Sequence, residues 1–337
     1  MQITIRDLAR ESGVHHTTVS RALRNDPGVS AATREKIQKL AKHRGYVPDP
    51  MLSALMVHRR KSTPSYQATL GWITTYATRD GWHNHEKVGH FAGAKRRAAE
   101  LGYQIEEFWL REPGMTGRRA TQILTTRNIR GLFFVPQPRA RAHLHLDWSR
   151  FSALTFSHSL SYPILNTVTC HHFRCMRLVM RKLKRLGYRR IGFACAPAIL
   201  EMSDRNWAAA YWAYQPRPYF APIPIFSERK WNQSNFNRWL TEHRPDVVIA
   251  HDPLLLKWIE ERGLRVPQDI GFVNPAHAGG LEYCTALDEN TEQVGATAVD
   301  VLIEMIHRGE RGVPKTPVCH LVEGVWHSGS TVRPQNA

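Results

Sequence analysis

The chain has 337 residues, a formal net charge of +17 and a pI near 10.0. With 42% apolar residues and 9% aromatics it can bury a core, which excludes global disorder, and its length suggests two or three core units. The charge favours polyanionic partners, nucleic acid before membrane surface.

That charge is concentrated at the start: residues 1–62 hold twelve Lys and Arg against five Asp and Glu. The five cysteines, Cys170, Cys175, Cys195, Cys284 and Cys319, form no CxxC pair. No apolar run approaches the roughly 18 residues of a membrane span, and MQITIRDLARES has no signal-peptide core. A reduced cytoplasmic compartment without membrane attachment is expected.

In chain order, Ile5, Leu8 and Ala9 have helical spacing. Thr4 suits the N-cap, Asp7 the first turn, and Gly13 the stop. A second helix is expected over about His16–Arg24, with Val19, Ala22 and Leu23 inward. Asn25-Asp26-Pro27-Gly28 breaks it, and Ser30 opens a third helix with Ile37, Leu40 and Ala41 inside. Two short helices about a tight turn, the second rich in Thr, Ser and Arg, form a helix-turn-helix. Its second helix fits the major groove, where Arg21 can donate a bidentate pair to guanine.

Next, YVPDPMLSALMVHRRKSTPS reads as a short helix, Met51 to Val57, followed by a linker. This gives three segments: residues 1–48 a helix-turn-helix headpiece, 49–65 a hinge helix and linker, and 66–337 a larger domain. From residue 66 apolar strand-like runs alternate with helices: ATLGWITTY, YQIEEFWL, RGLFFVP, FSALTFS, LNTVTC, RIGFACAP, PDVVIAHD, DIGFVNP and TPVCHLVEGV. Such alternation implies parallel sheets covered by helices on both faces. Leu101-Gly102-Tyr103 and Leu186-Gly187-Tyr188 each close a helix before a strand, an echo consistent with two lobes.

The segments TIRDLARESGV, TTVSRALRNDPGVSAATREKI, RGYVPD and MLSALM, within residues 3–58, resemble the DNA-binding headpiece of the lac repressor (LacI/GalR) family. The resemblance implies base contacts from His16, Thr17 and Arg21. It implies backbone contacts from Thr4, Arg6, Thr18, Ser20, Asn25, Ser30 and Thr33, and a minor-groove wedge at Leu55. The larger domain resembles, more loosely, the family's two-lobed effector domain, a fold like that of periplasmic sugar-binding proteins. Its crossovers between lobes are expected near residues 170, 286 and 316. The implied fold is thus an all-α headpiece followed by an α/β two-lobed domain. The implied function is that of a transcriptional regulator, a repressor in the family's usual mode. It would bind a pseudo-palindromic operator in double-stranded DNA as a homodimer, under control of a small-molecule effector, a carbohydrate being one candidate.

Three positions depart from the family's sugar-binding pattern: Trp207 stands where an Arg is common, Asn274–His277 lacks an acid, and His171 replaces an Asp. In open parallel sheets ligands sit beyond the carboxyl ends of strands. The candidate ligand residues are therefore Thr75, Arg79, Trp82, Trp207, His251, Asp252 and Asn274. The stretch CHHFRC, Cys170–Cys175, has ligating residues but not the spacing of a zinc motif, so no metal and no cofactor is expected. WHNHE is not HExxH, SERK matches S-x-x-K by letters alone, and no catalytic triad is evident. The competing readings are a regulator without a small-molecule effector, and a solute binder or enzyme on the same fold. The helix-turn-helix separates the regulators from the last pair.

Overall fold

The computed structural model describes residues 3–23, 25–26, 28–46, 66–83, 89–139, 141–215, 222–276 and 283–335. The expected hinge helix and Leu55 lie outside the described residues, as does most of the GWHNHEKV stretch. Three short helices form the headpiece: α1 (Ile5–Ser12), α2 (His16–Leu23) and α3 (Ala31–His43). Leu8, Val19, Ala22, Val29, Ile37 and Ala41 close a small core among them. A three-helix unit with so little buried surface depends on its caps. Thr4 forms a capping box with Asp7 on α1, and Ser30 caps α3 through the Thr33 amide.

The larger domain has two lobes. Lobe 1 is built on β1 (Ala68–Thr74), β2 (Tyr103–Trp109), β3 (Gly131–Phe134), β5 (Ser152–Phe156), β7 (Asn166–Cys170) and β12 (Cys319–Val322). These form one six-stranded sheet in the order β12-β7-β5-β3-β1-β2, parallel throughout. The inner strands β3, β5 and β7 are buried along their whole length, as expected of a parallel sheet covered on both faces. The edge strands β2 and β12 are only partly buried. A short pair, β4 (Ala142–His143) and β6 (Leu160–Tyr162), lies beside the main sheet.

Helices α4 (His90–Glu100) and α11 (Thr291–Arg308) cover one face of lobe 1, and α5 (Gly117–Thr126) covers the other. The first two touch backbone to backbone. A Cβ on Gly93 would lie 1.9 Å from the Glu292 carbonyl oxygen, and one on Gly295 would lie 2.0 Å from that of His90. Glycine is thus required on both sides of the crossing.

Lobe 2 holds β8 (Ile191–Ala194), β9 (Val247–Ala250) and β10 (Gly271–Val273), parallel in the order β10-β9-β8. The antiparallel pair β11 (Ala286–Asp288) and β13 (Val325–His327) joins it through the Asn274–Ala286 bridge. Helix α6 (His172–Arg185) buries Cys175, Met176, Val179, Met180 and Leu183, one stripe at helical spacing. Helices α7 (Pro197–Met202), α8 (Asn206–Ala213), α9 (Gln233–His243) and α10 (Leu254–Glu261) complete the lobe. The echo between lobes is a local one. Gly102 and Gly187 both adopt a left-handed backbone (φ +79° and +92°) just after a helix, a position that only glycine fills without strain.

The chain passes from lobe 1 to lobe 2 after Cys170, returns between Asp288 and Thr291, and leaves again between Val322 and Val325. The first two crossings lie where the sequence places them. The third is later than the expected residue 316, because β12 completes the lobe 1 sheet before the chain crosses.

Candidate functional site

In the headpiece, α2 turns Val19 and Ala22 inward and leaves His16, Thr17 and Arg21 exposed on one face. Thr18 and Ser20 are half-buried at its sides. The His15 carbonyl accepts the first helical bonds from Thr18 and Val19, and His15 Nδ1 sits 2.8 Å from the Thr17 hydroxyl. Arg6 is exposed on α1. Thr4 and Ser30 stand at the N-termini of α1 and α3 as caps, and the Ser30 and Thr33 hydroxyls are 2.7 Å apart. Helix N-termini carry unpaired amides and partial positive charge, which suits a phosphate.

Arg21 and Asn25, like the capping hydroxyls of Thr4 and Ser30, already hold partners within the protein. The Arg21 guanidinium lies against the Asp26 carboxylate, Nε to Oδ2 3.3 Å and Nη2 to Oδ1 3.4 Å. Asp26 Oδ1 also accepts the Gly28 amide at 2.8 Å. Burial pushes the Asp26 carboxyl upward, but the Gly28 amide and the Arg21 guanidinium outweigh it and hold it below the ordinary carboxylate value. Asn25 takes a left-handed backbone (φ +56°) to end α2. Its side-chain oxygen accepts Gln38 Nε2 at 2.6 Å, while the same Gln38 nitrogen reaches the Ala22 carbonyl at 3.1 Å. Gln38 on α3 therefore fixes the end of α2 through the Asn25 side-chain oxygen and the Ala22 carbonyl.

The candidate ligand residues separate into several places. Trp207 and His251 share a cavity of about 160 Å³ between the lobes, also lined by Cys170, His172, Ser203 and Glu289. Trp207 is 1% exposed and stands edge-on to His251, ring centroids 5.2 Å apart, with His172 on its other side at 5.4 Å. Asn274 is buried at the Thr285–Leu287 segment: its side-chain oxygen accepts the Ala276 amide, and its Nδ2 is buried without a partner among the described residues. Asp252 accepts the Trp231 indole at 2.7 Å and the Leu254 amide at 2.9 Å, fixing the entry to α10. Thr75 bonds the buried Gln137 and lines a different, basic hollow with Arg111, Arg139, Arg141 and His143. Arg79 lines a further depression with Glu106 and Glu107. Trp82 belongs to the lobe 1 core beside Trp72 and Phe91, its indole donating to Glu107 at 3.1 Å. The single cleft expected from strand ends thus gathers Trp207 and His251 but not Thr75, Arg79 or Trp82.

The cavity walls are short of hydrogen-bond partners. Both ring nitrogens of His251 are buried and unpartnered among the described residues. Burial lowers the His251 imidazole to about 3. Burial first, then neighbouring histidines, lowers His172 to about 3 as well. Both rings are neutral in ordinary buffer. Glu289, facing His172 Nε2 at 3.6 Å, is raised to about 7 by burial and by Asp288. Cys170 and Cys175 bring their sulfurs to 3.2 Å. The sequence marks Cys170 and His172 within CHHFRC, but nothing in LDENTEQ marks Glu289 as their neighbour. The lobes also meet directly: Arg141 of lobe 1 pairs with Glu201 of lobe 2 at 3.0 Å, and the His158 amide donates to the Met202 carbonyl at 2.9 Å.

Residues 4–49 match the family model for bacterial regulatory proteins, lacI family, and residues 180–325 match the periplasmic binding protein-like domain. The chain is 25% identical to the lactose operon repressor of Escherichia coli (strain K12), over 90% of this chain and 84% of the repressor. It is 23% identical to the transcriptional repressor PurR of Haemophilus influenzae (strain PittEE), over 92% and 93% of the two chains. Among solved structures, the lac repressor dimer bound to operator and the anti-inducer ONPF superposes with a TM-score of 0.57 at 21% identity, covering 98% of this chain and 99% of that one. A complex of the transcriptional regulator CelR with cellobiose does so at 0.58 and 19% identity, covering 98% and 100%. Residues 4–49 carry a lacI-family DNA-binding domain and residues 180–325 a periplasmic binding protein-like domain, and the chain is similar along almost its whole length to regulators that share this arrangement.

Proposed function

We propose that this chain is a DNA-binding transcriptional regulator that reads a pseudo-palindromic operator as a homodimer, its affinity set by a ligand in the interlobe cleft. The observation that carries the reading is the exposed His16, Thr17 and Arg21 face of α2, presented by a capped three-helix core. His16, Thr17 and Arg21 supply base contacts, and Thr4, Arg6, Thr18, Ser20, Asn25, Ser30 and Thr33 supply backbone contacts. The role is one of binding rather than catalysis, as in the transcriptional regulators the chain matches. Among the described residues no helix is long and apolar enough to cross a membrane.

The test is selection of bound duplexes from a randomised pool, followed by a salt series on the selected sequence. Inverted half-sites should emerge. Affinity should fall roughly 100-fold or more between about 50 and 200 mM salt as phosphate contacts release counterions. Equal affinity for selected and scrambled duplexes, or a flat salt response, refutes the reading.

One observation favours a regulator without a sugar-sized effector. The cavity shared by Trp207 and His251 holds about 160 Å³, below the roughly 300–1,000 Å³ of ordinary small-molecule pockets.

A further inference from the structure

Three metal-ligating side chains converge on the wall of the interlobe cavity. The Cys170 sulfur, a His172 ring nitrogen and a Glu289 carboxylate oxygen lie within 4.8 Å of one another. His172 Nε2 and Glu289 Oε1 are 3.6 Å apart, and both side chains are largely buried. In a tetrahedral zinc site, bonds of about 2.0–2.3 Å put ligand atoms roughly 3.3–3.8 Å apart. A contraction of at most about 1.0–1.5 Å would therefore close the three around one ion. A second observation is independent of the cluster. His251, on the same cavity, keeps both ring nitrogens buried and unpartnered among the described residues. A dry cavity does not explain so many unmet polar groups.

We propose that Cys170, His172 and Glu289 bind a divalent transition-metal ion, zinc by preference, with a fourth position open to the cavity. The donor set carries the choice of metal. A thiolate and an imidazole select zinc and its neighbours over magnesium or calcium, which take oxygen ligands. Three protein ligands with one open position make an exchangeable site rather than a closed structural one. The cavity of about 160 Å³ has room for an ion and several waters, at about 30 Å³ per water. Binding displaces the thiol proton of Cys170 to solvent. Cys175 packs behind Cys170 rather than joining the ligands, its sulfur against Gly324 and the Cys170 sulfur.

The ligands come from two different crossovers. Cys170 ends β7 and His172 begins α6 on the first, while Glu289 follows β11 on the second. An ion between them ties together two of the segments that connect the lobes. If the regulator reading above holds, the ion is an effector.

The experiment uses the full-length protein, reduced, stripped with a chelator and titrated with Co(II) under anaerobic conditions. The parent should develop a thiolate-to-cobalt charge-transfer band together with tetrahedral d–d bands, saturating at one ion per chain and bleached by Zn(II). Cys170→Ser should abolish the charge-transfer band. Glu289→Gln should weaken Co(II) binding by more than about 10-fold, the loss typical even of an outer-shell partner. Cys195→Ala, which alters a buried thiol outside the cluster, should change nothing. Circular dichroism of each stripped variant reports its folding, and Glu289→Gln is isosteric. Absence of the bands in the parent, or their persistence in Cys170→Ser, overturns the site. Zn(II) should also shift affinity for the selected duplex at least about 5-fold, the lower end of ordinary allosteric coupling, in the parent and not in Cys170→Ser. Bands without that shift overturn the effector role. Bands with no specific duplex binding at all overturn the regulator reading and leave the metal site standing.

Discussion

The Arg21–Asp26 pair makes the first test of how the headpiece works. Arg21 is committed to Asp26 in the protein alone, so reading a guanine requires an exchange of partners. The pair is half-exposed on the Arg side and is worth about 0–1 kcal/mol at such a site. A bidentate Arg–guanine contact discriminates by about 1–3 kcal/mol. The exchange is therefore downhill, and Asp26 acts as a weak competitor that holds the guanidinium at the surface until DNA arrives. Arg21→Ala should weaken binding to the preferred duplex by about 5- to 150-fold, with the loss confined to one base pair per half-site. Asp26→Asn keeps an acceptor for the Gly28 amide but removes the competing charge. It should tighten binding by up to about 5-fold. Arg21→Ala should then cost up to about 1 kcal/mol more in the Asp26→Asn background than in the parent. Fluorescence anisotropy with duplexes differing at single positions completes the cycle. A penalty that shrinks in that background would mean that Asp26 orients Arg21 in the complex, and the competition argument fails. Uniform weakening across all duplexes would mark Arg21 as a phosphate contact.

Gly295→Ala drives a Cβ into the His90 carbonyl across the α4–α11 crossing, so it should destabilise the protein by about 1–3 kcal/mol or more. Urea denaturation measures this, and a loss below about 0.5 kcal/mol would show that the helices separate at little cost. The second expectation is a pH dependence. His251 has its folded value lowered from 6.5 to about 3 by burial, so the folded state binds fewer protons than the unfolded chain. Its contribution to stability is complete above the unfolded value and declines as pH falls from there toward the folded one. At pH about 5.5 it should already have cost about 1.3 kcal/mol relative to pH about 7. His251→Gln should flatten that decline in thermal melts. An unchanged slope would assign the proton uptake to other groups.

The headpiece was legible because its signals are local. Val19 and Ala22 at helical spacing, Asn25 in a left-handed turn and Ser30 as a cap are each decided by neighbours a few residues away. The alternation of strands and helices was legible for the same reason, although of the buried inner strands only β3 (GLFF) is an unbroken apolar run, while β5 (SALTF) and β7 (NTVTC) bury Ser, Thr and Asn as well. The cleft was not. Trp82 and Trp207 both follow strands and look alike in sequence, yet one packs on Trp72 in lobe 1 and the other on His251 between the lobes. Which strand ends face each other depends on how the sheets are juxtaposed, and no window of sequence carries that. The neighbourhood of Cys170 and Glu289 arises only because two crossovers run side by side. The third crossover falls late because an edge strand, β12, adds itself to the lobe 1 sheet. TPVCHLVEGV reads as one strand-like run, and only the pairing shows that β12 within it belongs to lobe 1 while Val325 at its end begins β13 in lobe 2.

These placements bear on what kind of ligand could govern the lobes. A ligand shifts a conformational equilibrium only by the difference in its affinity for the two states. One that stacks on Trp207 alone contacts lobe 2 in either arrangement and gains little from lobe closure. An ion held by Cys170, His172 and Glu289 requires two crossovers to keep a spacing of a few ångströms, and metal–ligand bonds tolerate deviations of only about 0.2 Å. Its affinity therefore falls steeply when the crossovers move apart. Reversing a two-state population from 1:99 to 99:1 takes a difference of about 5.5 kcal/mol, which the loss of coordination geometry on separation of the crossovers would have to supply. The direct contacts between lobes add far less. The Arg141–Glu201 pair is exposed on the Arg side and contributes about 0–1 kcal/mol, while the His158–Met202 hydrogen bond adds about 1 kcal/mol. With the ion bound as proposed, coordination across the crossovers would change more on separation of the lobes than either of these direct contacts.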